Sequence, residues 1–451
     1  MTTASTDALD AITPSNSVTA GPGGSVNGEA VVPGDKSMSH RSVMFASLAE
    51  GRTSIKGFLA GEDSLNTLAA FQAMGVSIER TSQTGLIIDG VGMHGLKAPS
   101  ESLYMGNAGT GMRLIAGVLA GQKFSTQLTG DESLSKRPMR RIIDPLREMG
   151  AVIDSQQSGC PPLVIDPANA LAAISYQLPM ASAQVKSCVL LAGLYARGRT
   201  SVTEPASTRD HTERMLRTFG YPVETDGAEV SLQGQGKLSS TELEIPADIS
   251  SAAFLLVAAS IAPDSDVLLK NVGVNPTRTG VIDILKLMGA DIELQNRRDA
   301  GAEPVADIRV RTANLKGIAI PESLVPLAID ELPVIFIAAA CAEGTTTVTG
   351  AEELRVKESD RIAAMAEGLA SLGVDAVATA DGMIINGGTI GGGTVETFYD
   401  HRIAMSFCVA SLCATDPITI RDTHHVETSF PGFFEQCADL GMVIKRQSLD
   451  G

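Results

Sequence analysis

The chain has 451 residues, 44% of them hydrophobic, and a formal net charge of −17. This length and composition fit a globular protein of about two to three domains, and they exclude a disordered or fibrous chain. The negative charge argues against nucleic acid or an anionic membrane as a partner. It does not exclude a small anionic ligand that meets a local cluster of cations.

Residues 1–24 lack large apolar side chains at any regular spacing and contain no Lys or Arg, so neither a secretory nor a transit peptide fits. The longest apolar runs, near 252–262 and 334–342, fall far short of the roughly 20 residues that span a bilayer. We expect a disordered tail over 1–24, a short tail over 447–451, and a cytoplasmic protein that binds neither membrane nor nucleic acid.

Six segments of the chain end in an apolar residue followed by glycine, and an apolar-polar-apolar stretch follows most of them. The pairs are Met74-Gly75, Met149-Gly150, Phe219-Gly220, Met288-Gly289, Leu372-Gly373 and Leu440-Gly441. Glycine takes the left-handed conformation just past a helix at little cost, so each pair predicts a helix end before a strand. The repetition predicts an α/β fold built from six similar units.

A second, strongly apolar helix is predicted in each unit, with a polar opening. These helices are expected to be buried and to begin near Lys36, Asn107, Ser182, Ser250, Asp330 and Asp400. Helix N-termini attract anions through their unpaired N–H groups and partial positive charge, so six parallel helices could aim two groups of three at one cleft. The alternative for any single Ser or Asp is an ordinary helix cap.

Basic residues accumulate beside these openings and beside glycine-rich turns. Three stretches stand out: 33–41, 106–113 and 355–361. The second is not a P-loop, because no Lys-Ser/Thr follows its last glycine, and the third could also be a solvated, salt-bridged face. Asp330 could serve as a helix cap or as a general base. The six cysteines and six histidines have no metal-ligand spacing, which predicts neither a disulfide nor a metal site.

Together these motifs resemble the 5-enolpyruvylshikimate-3-phosphate synthases. The two recognition patterns of that family correspond to residues 104–113 and 355–362, and four shorter motifs resemble its bacterial class II branch: Gly34–Ser37, Ser182–Lys186, Arg209–Glu213 and Asn275–Arg278. The resemblance runs from about residue 25 to 446. It implies two domains of three βαβαββ units each, one formed by 25–35 plus 247–446 and the other, inserted, by 36–246, with the buried helices pointing at the cleft between them.

The resemblance also implies a site for two substrates and a monomeric enzyme without metal or organic cofactor. Shikimate 3-phosphate would bind Lys36, Ser37, Arg41, Ser182, Ala183, Gln184, Arg209, Asp330 and Lys357. Phosphoenolpyruvate would bind Lys36, Gly109, Arg137, Gln184, Arg361 and Arg402. Arginine suits this role because its forked donors hold carboxylate and phosphate at two points.

The implied chemistry is enolpyruvyl transfer through a tetrahedral intermediate. Asp330 would accept the proton of the shikimate 5-hydroxyl, while Glu358 or Lys36 would protonate C3 of phosphoenolpyruvate. Phosphate would then leave as C3 loses a proton. Stabilisation of moving charge by the arginines would supply much of the catalysis.

Two departures from the family pattern concern the same site. Many relatives have lysine at the position of Thr428 and alanine at that of Gly111. A third position concerns glyphosate, which occupies the phosphoenolpyruvate site in this family, because tolerant class II relatives tend to have alanine at the position of Gly109. We therefore expect this chain to be glyphosate-sensitive.

Two other functions are compatible with the repeats. UDP-N-acetylglucosamine enolpyruvyl transferases have a similar fold and chemistry, but they generally use a cysteine in the mobile loop that corresponds to 131–138, and this chain has no cysteine before Cys160. A six-repeat binding scaffold would not require Asp330, Glu358 and the arginines at their family positions.

Overall fold

A computed structural model describes residues 17–446, in which twelve α-helices alternate with short strands. The helices are α1 (Lys36–Leu48), α2 (Glu62–Ala73), α3 (Gly109–Leu119), α4 (Arg140–Glu148), α5 (Ala183–Gly193), α6 (His211–Thr218), α7 (Ile249–Ile261), α8 (Gly280–Leu287), α9 (Leu332–Cys341), α10 (Arg361–Ser371), α11 (His401–Ala410) and α12 (Phe433–Asp439). The expected buried helices are confirmed as α1, α3, α5, α7, α9 and α11, each beginning within about two residues of its predicted opening. Within this described range, no helix is long and apolar enough to cross a bilayer.

Twenty-four strands within residues 17–446 form six sheets that combine parallel and antiparallel pairs. In chain order they are β1 (Val18–Ala20), β2 (Asn27–Ala30), β3 (Ala49–Lys56), β4 (Ser77–Arg80), β5 (Leu86–Val91), β6 (Leu103–Tyr104), β7 (Thr126–Thr129), β8 (Val152–Asp154), β9 (Leu163–Asp166), β10 (Ser175–Gln177), β11 (Arg199–Thr203), β12 (Glu224–Asp226), β13 (Glu229–Gln233), β14 (Leu238–Ser239), β15 (Glu242–Glu244), β16 (Asp266–Gly273), β17 (Asp291–Ala300), β18 (Glu303–Arg311), β19 (Thr345–Val348), β20 (Asp375–Ala378), β21 (Met383–Asn386), β22 (Gly393–Val395), β23 (Ile418–Ile420) and β24 (Ile444–Arg446). The sheet orders are β14-β3-β5-β4 with β15 beside β3, β6-β7-β9-β8, β10-β11-β13-β12, β17-β18-β16-β2, β19-β21-β20 and β22-β23-β1-β24.

The six predicted helix-ending glycines all have the left-handed conformation. The φ angles of Gly75, Gly150, Gly220, Gly289, Gly373 and Gly441 lie between 77° and 114°. After α2, for example, the amide of Gly75 donates to Gln72 O at 2.9 Å, and the amide of Val76 donates to Phe71 O at 3.1 Å. These bonds satisfy the last carbonyls of the helix and turn the chain into the next strand.

Buried apolar side chains form two separate clusters. The first core comes from residues between 38 and 245, and the second core comes from 18–32 together with 247–442. The chain passes between them twice, and the two passages pair with each other as an isolated antiparallel bridge between Gly34 and Ala247. Both chain crossings therefore lie side by side.

The predicted disordered tail over 1–24 is wrong for the part that the structure describes. Val18–Ala20 forms β1 between β23 and β24, and Val18 and Ala20 are buried. This strand joins the second core, so an apolar pattern of only three residues is sufficient when both neighbouring strands are already present. Residues 1–16 and the predicted tail 447–451 lie outside the described residues.

Candidate active site

A cavity of about 210 Å³ lies between residues of the first core and residues of the second. The caps or first turns of five buried helices contribute to its wall, among them Lys36 of α1, Gly109 of α3, the Ser182 cap of α5, Ser250 of α7 and Arg402 of α11, and Asp330 lines it just before α9 begins. The N-terminal dipoles of these five helices thus lie around one space, which favours anionic ligands there.

The cap interpretation is correct for some polar openings and not for others. The side chains of Ser182 and Asp400 accept hydrogen bonds from Val185 N and Arg402 N of their own helices. Asp330 makes no such bond, because Glu331 occupies the cap position of α9. Its carboxylate is instead turned to basic side chains around the cavity, as a group available for chemistry would be.

Asp330 is surrounded by cations from both cores. Arg209 forms an ion pair with its Oδ2, and Lys357 Nζ and Arg361 Nη1 each lie 3.4 Å from its Oδ1. Burial alone would raise the pKa of Asp330, but the charges of Lys357, Arg209, Arg402 and Arg361 outweigh it and hold the pKa well below its usual value. Asp330 is therefore ionised, as a proton acceptor must be.

Glu358 is also held by basic side chains, and it shares Arg361 with Asp330. Its carboxylate lies 2.6 Å from Arg361 Nη2 and 3.4 Å from Arg137 Nη1. Burial acts to raise the pKa of Glu358, yet the nearby charges, led by those of Arg361 and Arg137, keep the pKa well below its usual value. Glu358 is thus a carboxylate whose two cations can also bind an incoming anion.

The basic residues of the cavity differ in whether their side chains are already paired with other groups of the protein. Arg361 is almost fully buried and is fixed by Asp400, with Nε 2.8 Å from Oδ2. Lys36 pairs with Asp63, which the sequence analysis did not single out. In contrast, Arg402 Nη1 is buried with no hydrogen-bond partner among the described residues. Because an unpaired buried donor is costly, this atom marks a place for a bound acceptor.

The predicted site residues come together with one exception. The cavity is lined by Lys36, Ser37, Gly109, Arg137, Ser182, Ala183, Gln184, Arg209, Asp330, Lys357, Glu358, Arg361 and Arg402. Arg41 does not line it: its Nε donates to Thr212 Oγ1 at 2.7 Å and its Nη1 to Ser37 O at 2.9 Å. Arg41 lies one turn into α1, and its side chain points away from the cavity. Its bond to Ser37 O stabilises the start of the helix.

Several residues that line the cavity were missed as site residues. They include Asp63, Thr110, Arg113, Arg141, Arg278 and His401. Arg113 was inside a recognised motif, and it orients the amide of Gln184 by donating from Nη1 to Oε1 at 2.8 Å. His401 follows the Asp400 cap, so its place beside Arg402 in the first turn of a buried helix was the available signal.

The departures from the family pattern have local explanations. Thr428 does not line the cavity, and its hydroxyl donates to His425 O at 2.7 Å. A Cβ at Gly111 would lie 2.7 Å from Thr67 Oγ1 and 2.9 Å from the terminal methyl of Met105, so these two side chains favour glycine here.

In the 355–361 stretch, Arg355 pairs with Asp360 at 2.7 Å, as a salt-bridged face would, whereas Lys357, Glu358 and Arg361 reach the cavity.

Comparison with known proteins gives consistent matches over nearly the whole chain. A model of the EPSP synthase (3-phosphoshikimate 1-carboxyvinyltransferase) family matches residues 21–437. The 3-phosphoshikimate 1-carboxyvinyltransferases of Alkalilimnicola ehrlichii and Methylococcus capsulatus are each 61% identical to this chain. Each alignment covers 95% of this chain, and the two alignments cover 97% and 98% of the respective relatives. A structure of EPSP synthase from Acinetobacter baumannii aligns with a TM-score of 0.87 at 56% identity, over 96% of this chain and 100% of that one.

Proposed function

The chain is an enzyme of the EPSP synthase (3-phosphoshikimate 1-carboxyvinyltransferase) family, and we propose that its cavity transfers the enolpyruvyl group of phosphoenolpyruvate to the 5-hydroxyl of shikimate 3-phosphate, releasing phosphate. The observation that carries the proposal is the meeting of five helix N-termini, a ring of basic side chains and two partly buried carboxylates, Asp330 and Glu358, in one cavity. Both substrates are anions, and the reaction moves two protons.

Shikimate 3-phosphate is assigned to the part of the cavity around Asp330. Lys36 and Ser37 begin α1, Ser182–Gln184 begin α5, and Arg209 and Lys357 flank the carboxylate. The cations suit the phosphate group and Asp330 suits a hydroxyl. In this arrangement, Asp330 accepts the proton of the 5-hydroxyl as that oxygen attacks C2 of phosphoenolpyruvate.

Phosphoenolpyruvate is assigned to the part around Arg137, Arg361 and Arg402, with Gly109, Gln184 and Lys36 beside it. Support comes from the unpartnered Nη1 of Arg402 and from the guanidiniums of Arg137 and Arg361, which now hold Glu358. These groups also face the phosphate as it leaves, so the charge that develops in the transition state is already neutralised.

Glu358 becomes a proton donor through the binding of this substrate. When a carboxylate or phosphate of phosphoenolpyruvate takes over Arg137 and Arg361, Glu358 loses its partners and gains a negative neighbour, so its pKa rises. The protonated carboxyl then delivers its proton to C3, with Lys36 as the alternative donor. The tetrahedral ketal phosphate collapses as C3 returns the proton and phosphate leaves.

The two cores support a two-domain organisation with three repeats in each domain. We place the crossings at 34–36 and 246–248 and assign β1 to the domain that contains 247–446. Closure of the domains would expel water and align both substrates, an effect that can contribute about 7–11 kcal/mol. A cytoplasmic monomer is part of the proposal; the six free cysteines are consistent with the cytoplasm, since structural disulfides belong to oxidising compartments.

The experiment that tests the function measures phosphate release from phosphoenolpyruvate with either of two acceptors. Release that depends on shikimate 3-phosphate supports the proposal. Release that depends instead on UDP-N-acetylglucosamine would assign the chain to the related transferases. A protein that binds both substrates without releasing phosphate would be the binding scaffold. Size-exclusion chromatography with light scattering checks the monomer.

A further inference from the structure

We propose that Arg278 is a positioning residue for the transfer, whose guanidinium holds the chain segments that carry Lys36 and Asp330 at a fixed separation. This proposal rests on the function proposed above, because Arg278 would act through Lys36 and Asp330, and their roles come from that function. Arg278 is 2% exposed and lies where the two cores meet. It belongs to the Asn275–Arg278 motif, to which the reaction steps give no other role.

One side of the guanidinium is tied to the start of α1. Arg278 Nη1 lies 3.4 Å from Asp35 Oδ2, and the other oxygen of Asp35 caps the helix by accepting from Met38 N at 2.8 Å. Lys36 is the next residue in the chain and the first residue of α1. Asp35 thus links Arg278 to the backbone that aims Lys36 into the cavity.

The other side is tied to two helices of the second core. Arg278 Nη2 donates to Ser250 Oγ at 2.7 Å and lies 3.2 Å from Asp248 Oδ1, the cap of α7. The same nitrogen lies 3.6 Å from Glu331 Oε1, and the hydroxyl of Ser250 also donates to that oxygen. Glu331 caps α9 and directly follows Asp330, so one side chain joins the cap residues of three buried helices.

The two chain crossings reinforce this link. Asp35 N donates to Pro246 O and Asp248 N to Pro33 O, both at 2.8 Å, and Lys36 N lies 3.4 Å from Asp248 Oδ2. The hinge between the cores is therefore the same small region in which Arg278 is bound. A shift of its guanidinium would alter the distance between the Lys36 and Asp330 segments rather than the fold of either core.

A hydrogen-bond network beside the guanidinium joins the Arg209–Glu213 and Asn275–Arg278 motifs. His211 Nε2 lies 3.5 Å from Arg278 Nη1, and its Nδ1 is 2.8 Å from Glu303 Oε1. Asn275 donates to Asp210 Oδ1 at 2.7 Å and to Glu303 Oε2 at 2.9 Å. The two motifs thus bond to each other across the cores, and each also contributes one residue to the cavity wall, Arg209 and Arg278.

The competing explanation is that Arg278 only neutralises the buried carboxylates of Asp35, Asp248 and Glu331. In that case its replacement would lower stability, since an uncompensated buried charge is costly. It would leave the turnover of the protein that remains folded unchanged. A fall in kcat without a matching fall in ligand affinity or in the amount of folded protein therefore distinguishes positioning from charge neutralisation.

The test uses Arg278→Lys and Arg278→Ala in the full-length enzyme. Lysine keeps the positive charge, but a single ammonium cannot bond Asp35 on one side and Asp248, Ser250 and Glu331 on the other. Arg309→Lys and Arg309→Ala are matched controls, because Arg309 binds Asp266 on the outer side of a sheet, with contacts of 2.9 and 2.5 Å. Melting temperature, shikimate 3-phosphate affinity by calorimetry, and kcat are measured for each.

We expect Arg278→Lys to remain folded at the assay temperature and to bind shikimate 3-phosphate within about threefold of wild type, while kcat falls about 10²-fold, the effect of a misplacement of about 1 Å. Millimolar guanidinium should partly restore kcat in Arg278→Ala and leave the Arg309 variants unchanged. Should Arg278→Ala not fold, the lysine variant alone decides.

Wild-type kcat in Arg278→Lys, or a loss of kcat that only follows the loss of folded protein, would overturn the role of Arg278. Either result leaves the proposed function intact when the wild-type enzyme turns over. A wild-type enzyme that does not turn over with shikimate 3-phosphate would instead overturn the proposed function.

Discussion

Arg137 and Glu358 approach each other across the cavity, with 3.4 Å between Nη1 and Oε1. Arg137 follows the 131–136 loop on the side of the first core, and Glu358 precedes α10 on the side of the second core. An anion that binds Arg137 must therefore compete with Glu358. In the proposed mechanism, the binding of phosphoenolpyruvate changes the protonation of Glu358, which couples binding to proton transfer.

Replacing Asp330 with Asn should remove the base and retain the shape of the site. We expect shikimate 3-phosphate affinity to stay near that of wild type and turnover to fall about 10²–10⁴-fold, the usual range for general base catalysis. Steady-state kinetics with calorimetry measure both. Asp375→Asn, in the exposed strand β20, is the control. Turnover of Asp330→Asn near that of wild type, with folding unchanged, would rule out the assignment.

The arginines should separate the two ligands. Arg137→Ala or Arg402→Ala should chiefly weaken phosphoenolpyruvate, and Arg209→Ala should chiefly weaken shikimate 3-phosphate, since a charge-assisted hydrogen bond contributes about 1.5–3 kcal/mol. Each ligand is titrated separately by calorimetry, and Arg421→Ala serves as the control because Arg421 pairs with Glu396 at the surface. Equal losses for both ligands in every variant would refute the division of the cavity.

Gly109→Ala should discriminate glyphosate from phosphoenolpyruvate. A Cβ at Gly109 would lie 3.0 Å from Arg137 Nη1 and 3.1 Å from Arg113 Nη1, so both guanidiniums would have to shift. Glyphosate is slightly longer than the substrate and has less room to adjust, and overpacking costs roughly 1–3 kcal/mol. We expect a sensitive wild type and an inhibition constant that rises far more than the KM for phosphoenolpyruvate.

The control for this glycine is Gly388→Ala, since a Cβ there meets no atom within 4 Å and the backbone is not left-handed. Inhibition constants of the wild type and both variants are measured side by side. A wild type that is already tolerant, with the same inhibition constant in Gly109→Ala, would contradict the account.

Local signals in the sequence were sufficient for much of the fold. The left-handed glycines and the polar openings of apolar helices depend on residues within a few positions of each other, so Gly75 and the start of α1 could be predicted directly. The strand Val18–Ala20 could not, because its two partners, β23 and β24, come from the far end of the chain. Its stability is a property of the sheet rather than of its own three residues.

The site residues also divide into those that local sequence motifs predict and those that depend on distant parts of the chain. Motifs predicted which residues line the cavity, but they could not tell that Arg41 turns away from it toward Thr212 or that Asp63 pairs with Lys36. The role inferred for Arg278 depends on carboxylates from three distant segments. Such relationships require the packed structure, since no spacing along the chain encodes them.

Acid should destabilise the fold through His40. Burial, aided by the charges of Lys36 and Arg41, lowers the pKa of His40 from 6.5 to about 3. Between these values the unfolded chain binds a proton that folded His40 does not. The contribution of His40 to the free energy of unfolding is therefore complete above pH 6.5. It is lost by about 1.4 kcal/mol per pH unit as the pH falls below 6.5. Buried His401, whose pKa is also lowered, acts in the same direction.

His40→Gln should accordingly make the free energy of unfolding less dependent on pH, by about 1.4 kcal/mol per unit between roughly pH 5 and 6. Urea titrations at several pH values measure this slope. His94→Gln, at an exposed position, is the control. An unchanged slope in His40→Gln would show that His40 is protonated in the folded protein.

The most direct test of the account is a nuclear magnetic resonance spectrum of the reaction in D2O. Phosphoenolpyruvate, shikimate 3-phosphate and the wild-type enzyme should give inorganic phosphate and an enol ether on the 5-oxygen, with deuterium in its methylene group, because C3 gains a proton from an exchangeable enzyme group and then loses one. Phosphate without the ether, or an ether without deuterium at C3, would contradict enolpyruvyl transfer by this route.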